Sequence, residues 1–267
     1  MVDLNISGRT RLYGIVADPI AHVKAPQMLN PRFAAAGHDG VLVPFHVAAA
    51  DLATLVAGLR TAPNFGGLSV TVPHKEAMAK LCDSLTDAAR QAGAVNVVRR
   101  DPDGSLHGAM FDGEGFCAGL LAAGHAIRGR RVFIAGAGGA ASGIGFALAA
   151  HGAAAITYFN RTRARAEVLA ARIAEAYPTV AVAACGADPA GHDIVVNTTT
   201  LGLKPDDALP VEPGLLRPEM LVVEIIMDPA ETAFVRAAAA RGCATHPGQP
   251  MLDEQIRLIG RFMGAPV

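Results

Sequence analysis

The sequence predicts an α/β protein built from two consecutive α/β domains, and three observations support this prediction. Apolar, β-rich runs alternate with helical stretches along most of the 267 residues. A second alternating series begins at Arg131. A glycine-rich turn follows the first strand of that second series. Alternation of this kind is typical of parallel sheets covered by helices.

Composition excludes several classes of protein. Hydrophobic residues make up 51% and charged residues 18% of the chain, which is typical of a protein with a large core. The net charge of −1 predicts no nucleic-acid partner and no anionic membrane partner. Four cysteines are too scattered for CxxC pairs, which favours a reducing cytoplasm. The nine histidines lack metal-binding spacings, so we expect no metal.

The element assignments follow from periodicity and turn signals. Asp101-Pro102-Asp103-Gly104 is a strong turn signal and predicts a hairpin. The uncharged run 132–159 contains glycines and is better divided into strand, turn, helix and strand than interpreted as a membrane span. Strands are predicted at 12–16, 41–47, 67–72, 94–100, 105–108, 131–135, 155–159, 180–184, 194–197 and 221–226. Helices are predicted at 26–36, 51–60, 73–82, 85–91, 112–123, 140–151, 163–176, 230–241 and 251–263.

The glycine-rich turn indicates a dinucleotide site. It reads Gly136-Ala137-Gly138-Gly139-Ala140-Ala141, which fits G-x-G-x-x-A between a strand and a helix. Gly136 permits the tight turn, and Gly138 lets backbone N–H groups approach a pyrophosphate at the helix N-terminus. A purely structural glycine turn is the alternative. The flanking strand, helix and next strand favour the cofactor interpretation.

The end of the following strand indicates which dinucleotide is bound. An NAD site usually places an acid there to hold the ribose 2′-hydroxyl. This chain instead reads Asn160-Arg161-Thr162-Arg163-Ala164-Arg165, with no acid before Glu167. Guanidinium groups match a phosphate, so the 2′-phosphate of NADP is the expected ligand. A solvated basic helix start is the alternative, and acceptance of NAD as well stays open.

Three polar residues stand out in the first half of the chain. Lys75 is predicted just inside a helix, although lysine prefers the other helix end. Asn96 places an amide in an apolar strand, and Asp112 follows an apolar run. Taken singly, each has a structural explanation as a surface lysine, a turn asparagine or a helix N-cap.

Together with the glycine-rich turn, these residues belong to ordered motifs that span essentially the whole chain. The other motifs are Asp18-Pro19-Ile20-Ala21-His22, Val70-Thr71-Val72-Pro73-His74-Lys75, Gly93-Ala94-Val95-Asn96, Asn160-Arg161-Thr162 and Asn197-Thr198-Thr199. On these motifs the chain resembles the shikimate dehydrogenases. The resemblance implies a substrate domain at 1–109 and 242–267, an NADP-binding Rossmann domain at 110–241, and catalysis in the cleft between them.

The resemblance also implies roles for individual residues. Lys75 and Asp112 correspond to the family's catalytic pair, which moves the proton of a secondary alcohol as its hydride leaves. Arginine could not replace the lysine because it does not deprotonate. The implied substrate-binding positions are Thr71, Asn96, Gln255, Val23, Ala25 and Met227. The implied cofactor-binding positions are Gly136, Ala137, Gly138, Gly139, Ala140, Asn160, Arg161, Thr162, Arg165, Thr198, Ile225 and Gly248.

Several positions depart from the family pattern, all towards apolar side chains. The family's S-x-S pair, which holds the substrate carboxylate, falls on Val23 and Ala25. Its N-T-D motif reads Met110-Phe111-Asp112, and the tyrosine of its D-x-x-Y motif is Met227. Losing two or three charge-assisted hydrogen bonds at about 1.5–3 kcal/mol each would weaken carboxylate binding at least a hundredfold.

These departures predict an NADP-dependent reductase whose substrate is cyclic or branched and carries a neutral or hydrophobic group in place of the carboxylate. An ordinary shikimate dehydrogenase of aromatic amino-acid biosynthesis is the first alternative. A non-catalytic NADP-binding regulator is the second, although it need not keep Lys75, Asp112, Asn96 and Gln255 together. The expected partner is a small-molecule substrate, and a homodimer stays open.

Overall fold

The computed structural model describes residues 6–267, so residues 1–5 of the predicted first domain lie outside it. The chain divides into two compact units. One extends up to Phe111 and includes Gln255–Val267, and the other is Asp112–Glu254. Contacts therefore group residues 242–254 with the second unit, whereas the functional division drawn from the sequence groups them with the first.

A mixed six-stranded sheet forms the centre of the first unit. Its strands are β1 (Arg11–Ala17), β2 (Gly40–His46), β3 (Phe65–Val70), β4 (Ser84–Leu85), β5 (Val97–Arg100) and β6 (Leu106–Ala109). Their order is β2-β1-β3-β5-β6-β4. Strand β1 pairs in parallel with β2 and β3, as the alternating pattern predicts, and β5 runs antiparallel to β3 and β6. The predicted hairpin is therefore confirmed as β5–β6.

The helices of this unit are α1 (Ala25–Ala35), α2 (Leu52–Arg60), α3 (Lys75–Ala79) and α4 (Asp87–Ala92). Helix α3 is shorter than the predicted helix at 73–82 because a turn precedes it. In that turn the backbone N–H of His74 donates to the Thr71 carbonyl oxygen at 2.9 Å. Lys75 is consequently the first residue of α3, two residues after the predicted start of the helix.

The second unit contains six parallel strands in the order β12-β11-β10-β7-β8-β9. They are β7 (Arg131–Ala135), β8 (Ala155–Phe159), β9 (Ala181–Ala184), β10 (Ile194–Asn197), β11 (Leu221–Glu224) and β12 (Ala244–His246). The helices are α5 (Asp112–Ala122), α6 (Gly139–Ala150), α7 (Arg163–Ala176) and α8 (Ala233–Ala240), and α9 (Gln249–Phe262) closes the chain. This doubly wound arrangement is the expected Rossmann-type domain.

Helices α5 and α6 approach each other unusually closely. A Cβ at Gly113 would lie 2.1 Å from the carbonyl oxygen of Gly143 and 2.7 Å from the Cβ of Ala147. Only glycine therefore fits at position 113, directly after the first residue of α5. The close contact fixes the start of α5 against the middle of α6, because packed backbones leave no room for adjustment.

Among residues 6–267, no helix combines the length and the apolar character that crossing a membrane requires.

Candidate active site

In the first unit, strand pairing gathers most of the predicted substrate residues at one sheet edge. The carboxyl ends of β1 and β3 share that edge because the strands are parallel. Antiparallel β5 starts there, and β6 ends there. The loops at this edge carry Val23 and Ala25 after β1, Thr71 and Lys75 after β3, Asn96 before β5, and Met110 and Phe111 after β6.

Backbone hydrogen bonds hold Lys75 next to Asn96. The N–H of Val95 donates to the carbonyl oxygen of Lys75 at 3.0 Å. The Asn96 side chain is buried, and its Oδ1 accepts the backbone N–H of Phe111 at 2.9 Å. This bond orients the amide so that Nδ2 is its donor side. The loops after β3 and β6 and the segment before β5 are thereby linked.

His74, the residue directly before Lys75, is buried. Its Nε2 donates to the carbonyl oxygen of Val47 at 2.9 Å, and its Nδ1 is buried without a hydrogen-bond partner. The bond connects the segment after β2 to the residue before Lys75. The start of α3 is therefore held by two segments. His74 bonds to Val47, which precedes α3 in the chain, and Lys75 is bonded to the segment of Asn96, which follows it.

The positions that depart from the family pattern form an apolar set at the same edge. Ala25 and Met110 are buried, and Val23 is half-buried. The ring of Phe111 packs edge-on against Phe262 of α9, with centroids 5.7 Å apart. Phe262 also stacks on His107 and lies under the guanidinium of Arg99. Phe262 was not among the predicted site residues, because its contacts join segments that are distant in sequence.

In the second unit, the glycine-rich turn has the geometry that a dinucleotide requires. Gly136 follows β7 with φ +117°, and a Cβ there would lie 2.4 Å from Thr198 Oγ1. A Cβ at Gly138, the residue before α6, would meet no atom within 4 Å. Open space at a helix N-terminus with backbone N–H groups facing it suits a pyrophosphate. The residues present therefore fit the expected cofactor.

Strand pairing in the second unit places further predicted residues near this turn. Strands β7 and β10 are neighbours, although their chain connections lead in opposite directions, which is the switch point where doubly wound sheets bind ligands. Thr198 follows β10, and its Oγ1 and N–H donate to the Ala135 carbonyl oxygen at 2.7 and 2.8 Å. A Cβ at Gly248 would lie 2.8 Å from the Ile225 carbonyl oxygen, so Gly248 contacts the segment after β11.

The basic segment after β8 is exposed. Arg161 and Thr162 precede α7, and the Asn160 side chain donates to the Thr162 carbonyl oxygen at 2.9 Å. Arg163 forms an ion pair with Glu167 at 2.8 Å, so its charge is partly matched within the helix. Arg161 precedes that pair, Arg165 lies between its two members in sequence, and these two arginines are the residues that could hold a 2′-phosphate.

A buried carboxylate lies between the loops after β10 and β11, and the sequence analysis did not predict its role. Glu224 is 1% exposed and accepts hydrogen bonds from Asn197, Thr232 and the backbone N–H groups of Ile225 and Ile226. Burial raises the pKa of Glu224, and these hydrogen bonds oppose that rise. A glutamate inside an otherwise apolar strand was the available signal.

Three further predicted site residues have known places in the fold. Asp112 is the first residue of α5 and is buried, Met227 follows β11, and Gln255 lies on α9. Within the described part of the chain, no cluster of three or more His, Cys, Asp or Glu side chains could hold a metal ion.

Two family models match the chain. The shikimate dehydrogenase substrate binding domain matches residues 15–98, and the shikimate/quinate 5-dehydrogenase model matches residues 121–202. A shikimate dehydrogenase (NADP(+)) of Rubrobacter xylanophilus is 42% identical over 254 residues, covering 92% of this chain and 88% of the relative.

Solved structures agree with these matches. Listeria monocytogenes shikimate 5-dehydrogenase, in complex with shikimate and NAD, is 34% identical with a TM-score of 0.86, covering 97% of this chain and 93% of that one. A ligand-free 5-ketofructose reductase of Gluconobacter sp. is 36% identical with a TM-score of 0.83, covering 96% and 94%.

The two glycines of the turn should respond differently to substitution by alanine. Gly136→Ala should lower the unfolding free energy by about 1–3 kcal/mol, because the left-handed backbone is strained and the Cβ meets Thr198. Gly138→Ala should leave the melting temperature nearly unchanged but weaken NADPH binding, because its Cβ enters the space for the pyrophosphate. Thermal unfolding and NADPH fluorescence titration measure both effects. Unchanged NADPH affinity in Gly138→Ala would contradict this assignment of the turn.

Proposed function

Because the chain belongs to the shikimate dehydrogenase family and is an NADP-dependent oxidoreductase, we propose that its preferred substrate is a shikimate-related or less polar cyclic secondary alcohol, or the matching ketone, without a carboxylate. The observation that carries this proposal is the apolar set at the substrate edge. Val23 and Ala25 offer no hydroxyl donor, and a carboxylate placed against them would lose hydration without gaining partners. A neutral group avoids that cost.

Ordinary shikimate dehydrogenation is the second candidate, and the names of the curated relatives support it better than they support an altered substrate. The 5-ketofructose reductase supports the first candidate, because the substrate in its name is a sugar ketone without a carboxylate. A non-catalytic regulator is the third candidate, and the joint presence of Lys75, Asp112, Asn96 and Gln255 argues against it.

We assign proton transfer to Lys75 and Asp112. When bound, NADP⁺ supplies the acceptor for the hydride that leaves the carbinol carbon. The Lys75 amine takes the proton of the hydroxyl as the C–O bond becomes a carbonyl, and in the reverse direction it returns that proton. Asp112, the carboxylate of the implied pair, accepts a hydrogen bond from a substrate hydroxyl. Asn96 offers Nδ2, and Thr71 and Gln255 offer further polar groups to the substrate.

We also propose a cytoplasmic location, supported by four free thiols at Cys82, Cys117, Cys185 and Cys243. Formation of a homodimer also stays a proposal, and a measurement of the molecular mass in solution tests it.

Lys75→Ala should lower turnover by about two to four decades while NADPH still binds, because general acid–base catalysis contributes that much. Lys75→Arg should be equally inactive, since arginine does not release its proton. Lys80→Ala, at an exposed lysine directly after the same helix, is the matched control and should remain active. Initial rates followed at 340 nm measure the effect. Near-normal rates for Lys75→Arg would show that only positive charge matters.

Shikimate should be a poor substrate of the unmodified protein, with uncharged cyclic alcohols oxidised more efficiently. The triple variant Val23→Ser, Ala25→Ser and Met227→Tyr should raise kcat/KM for shikimate at least about tenfold, because one recovered hydrogen bond is sufficient. Val168→Ser, at an exposed position on α7, should change nothing. Efficient shikimate oxidation by the unmodified protein would establish the second candidate instead.

Arg161→Ala should weaken NADP binding by about 1.5–3 kcal/mol and leave NAD binding almost unchanged, because only NADP carries the 2′-phosphate. Arg163→Ala is the matched control, since the Arg163 guanidinium is paired with Glu167. Calorimetric titration with both dinucleotides measures the difference. Equal losses for NADP and NAD would remove Arg161 from the 2′-phosphate site.

A further inference from the structure

The buried carboxylate of Glu224 is bonded more extensively than maintaining one strand requires. Its Oε1 accepts the N–H groups of Ile225 and Ile226 at 2.9 and 3.0 Å, and its Oε2 accepts the Thr232 hydroxyl at 2.9 Å. Both oxygens lie within 3.1 Å of Asn197 Nδ2. All of these partners are donors, so the carboxylate ties together the end of β10, the segment after β11 and the residue before α8.

Asn197 extends this bonding into the loop after β10. Its Nδ2 donates to the Leu201 carbonyl oxygen at 3.0 Å, and its Oδ1 accepts the backbone N–H and the hydroxyl of Thr199 at 3.0 and 2.7 Å. The Thr199 hydroxyl accepts the N–H of Leu201 at 3.1 Å. The polar groups of the Asn197 side chain are therefore committed to holding one loop conformation.

That loop contacts the glycine-rich turn. Thr198 lies between Asn197 and Thr199 in sequence. Its Oγ1 packs against Gly136, 2.4 Å from the position that a Cβ would take there. On the other side, the segment bonded to Glu224 Oε1 contains Ile225, whose carbonyl oxygen lies against Gly248. Residues implied in cofactor binding thus flank the Glu224–Asn197 pair on both sides, and strand pairing places these two residues directly opposite each other.

We infer that Glu224 is a positioning residue for the cofactor, which sets the loop after β10 and the segment after β11 at the distance that NADP requires. The inference rests on the proposed cofactor site. Glu224 acts through Asn197 and the two backbone segments. A buried acceptor surrounded only by donors is intolerant of a change in hydrogen-bond polarity, because an unmatched donor pair in a buried site is costly.

The test reverses the hydrogen-bond polarity at position 224. Glu224→Gln places an NH₂ group among donors and should weaken NADPH binding at least about tenfold, the loss that corresponds to one hydrogen bond to a charged group. Glu219→Gln, at an exposed glutamate just before β11, is the matched control.

Fluorescence titration with NADPH is performed well below the melting temperature of each variant. A lower melting temperature for Glu224→Gln with unchanged NADPH affinity would mean that Glu224 only stabilises the fold, and would overturn the inference. Failure of the unmodified protein to bind NADPH would instead reject the proposed cofactor site.

If Glu224→Gln does not fold, Thr232→Val carries the test, because it removes the donor to Oε2 together with the acceptor that caps the start of α8. Thr232→Ser keeps that donor and serves as its match. NADPH affinity should fall at least about threefold in the valine variant and stay unchanged in the serine variant. Equal affinities in the two variants would overturn the inference.

Discussion

Parallel pairing of β7 with β10 is the constraint on which the second unit depends. The two strands are separated by 58 residues of chain between Ala135 and Ile194, and their pairing places the ends of both at one edge. Hydrogen bonds then join the two strand ends, because Thr198 donates twice to Ala135. The glycine-rich turn is held from one side by its own strand and from the other by this neighbour. The local sequence produces the turn, and the strand order places Thr198 against it.

The first unit solves a comparable problem with a mixed sheet. Because β5 runs antiparallel to β3, the segment around Asn96 lies at the sheet edge where β3 ends. Because β6 in turn runs antiparallel to β5, Phe111 lies at the same edge. Two hydrogen bonds then connect three loops that are distant in sequence: the Val95 N–H donates to the Lys75 carbonyl oxygen, and the Phe111 N–H donates to the Asn96 side chain. Lys75, the proposed catalytic lysine, is the first residue of a five-residue helix and needs such support, because so short a helix has little stability of its own.

Local chemistry explains what could be predicted from the sequence. The glycine-rich turn and the β5–β6 hairpin depend on neighbouring residues, and each was predicted correctly. Lys75 was predicted near the start of a helix, but α3 begins two residues later than the sequence pattern predicts. Strands β4 and β12 have only two and three residues, which is too short for a period to show. The hydrogen bond between Asn197 and Glu224 depends on the pairing register of two strands whose residues are 27 positions apart. The edge-on contact of Phe111 with Phe262 depends on where helix α9 packs. Sequence patterns carry no information about register of that range.

The contact between Gly113 and Gly143 has a consequence for motion within the second unit. Helix α6 begins at the turn that faces the cofactor, and α5 begins at Asp112. With a backbone-to-backbone approach this close, neither helix can slide or rotate past the other without a clash. A displacement of α6 on cofactor binding would therefore move the start of α5, where Asp112 lies. Cofactor binding and the position of the Asp112 carboxylate would then change together.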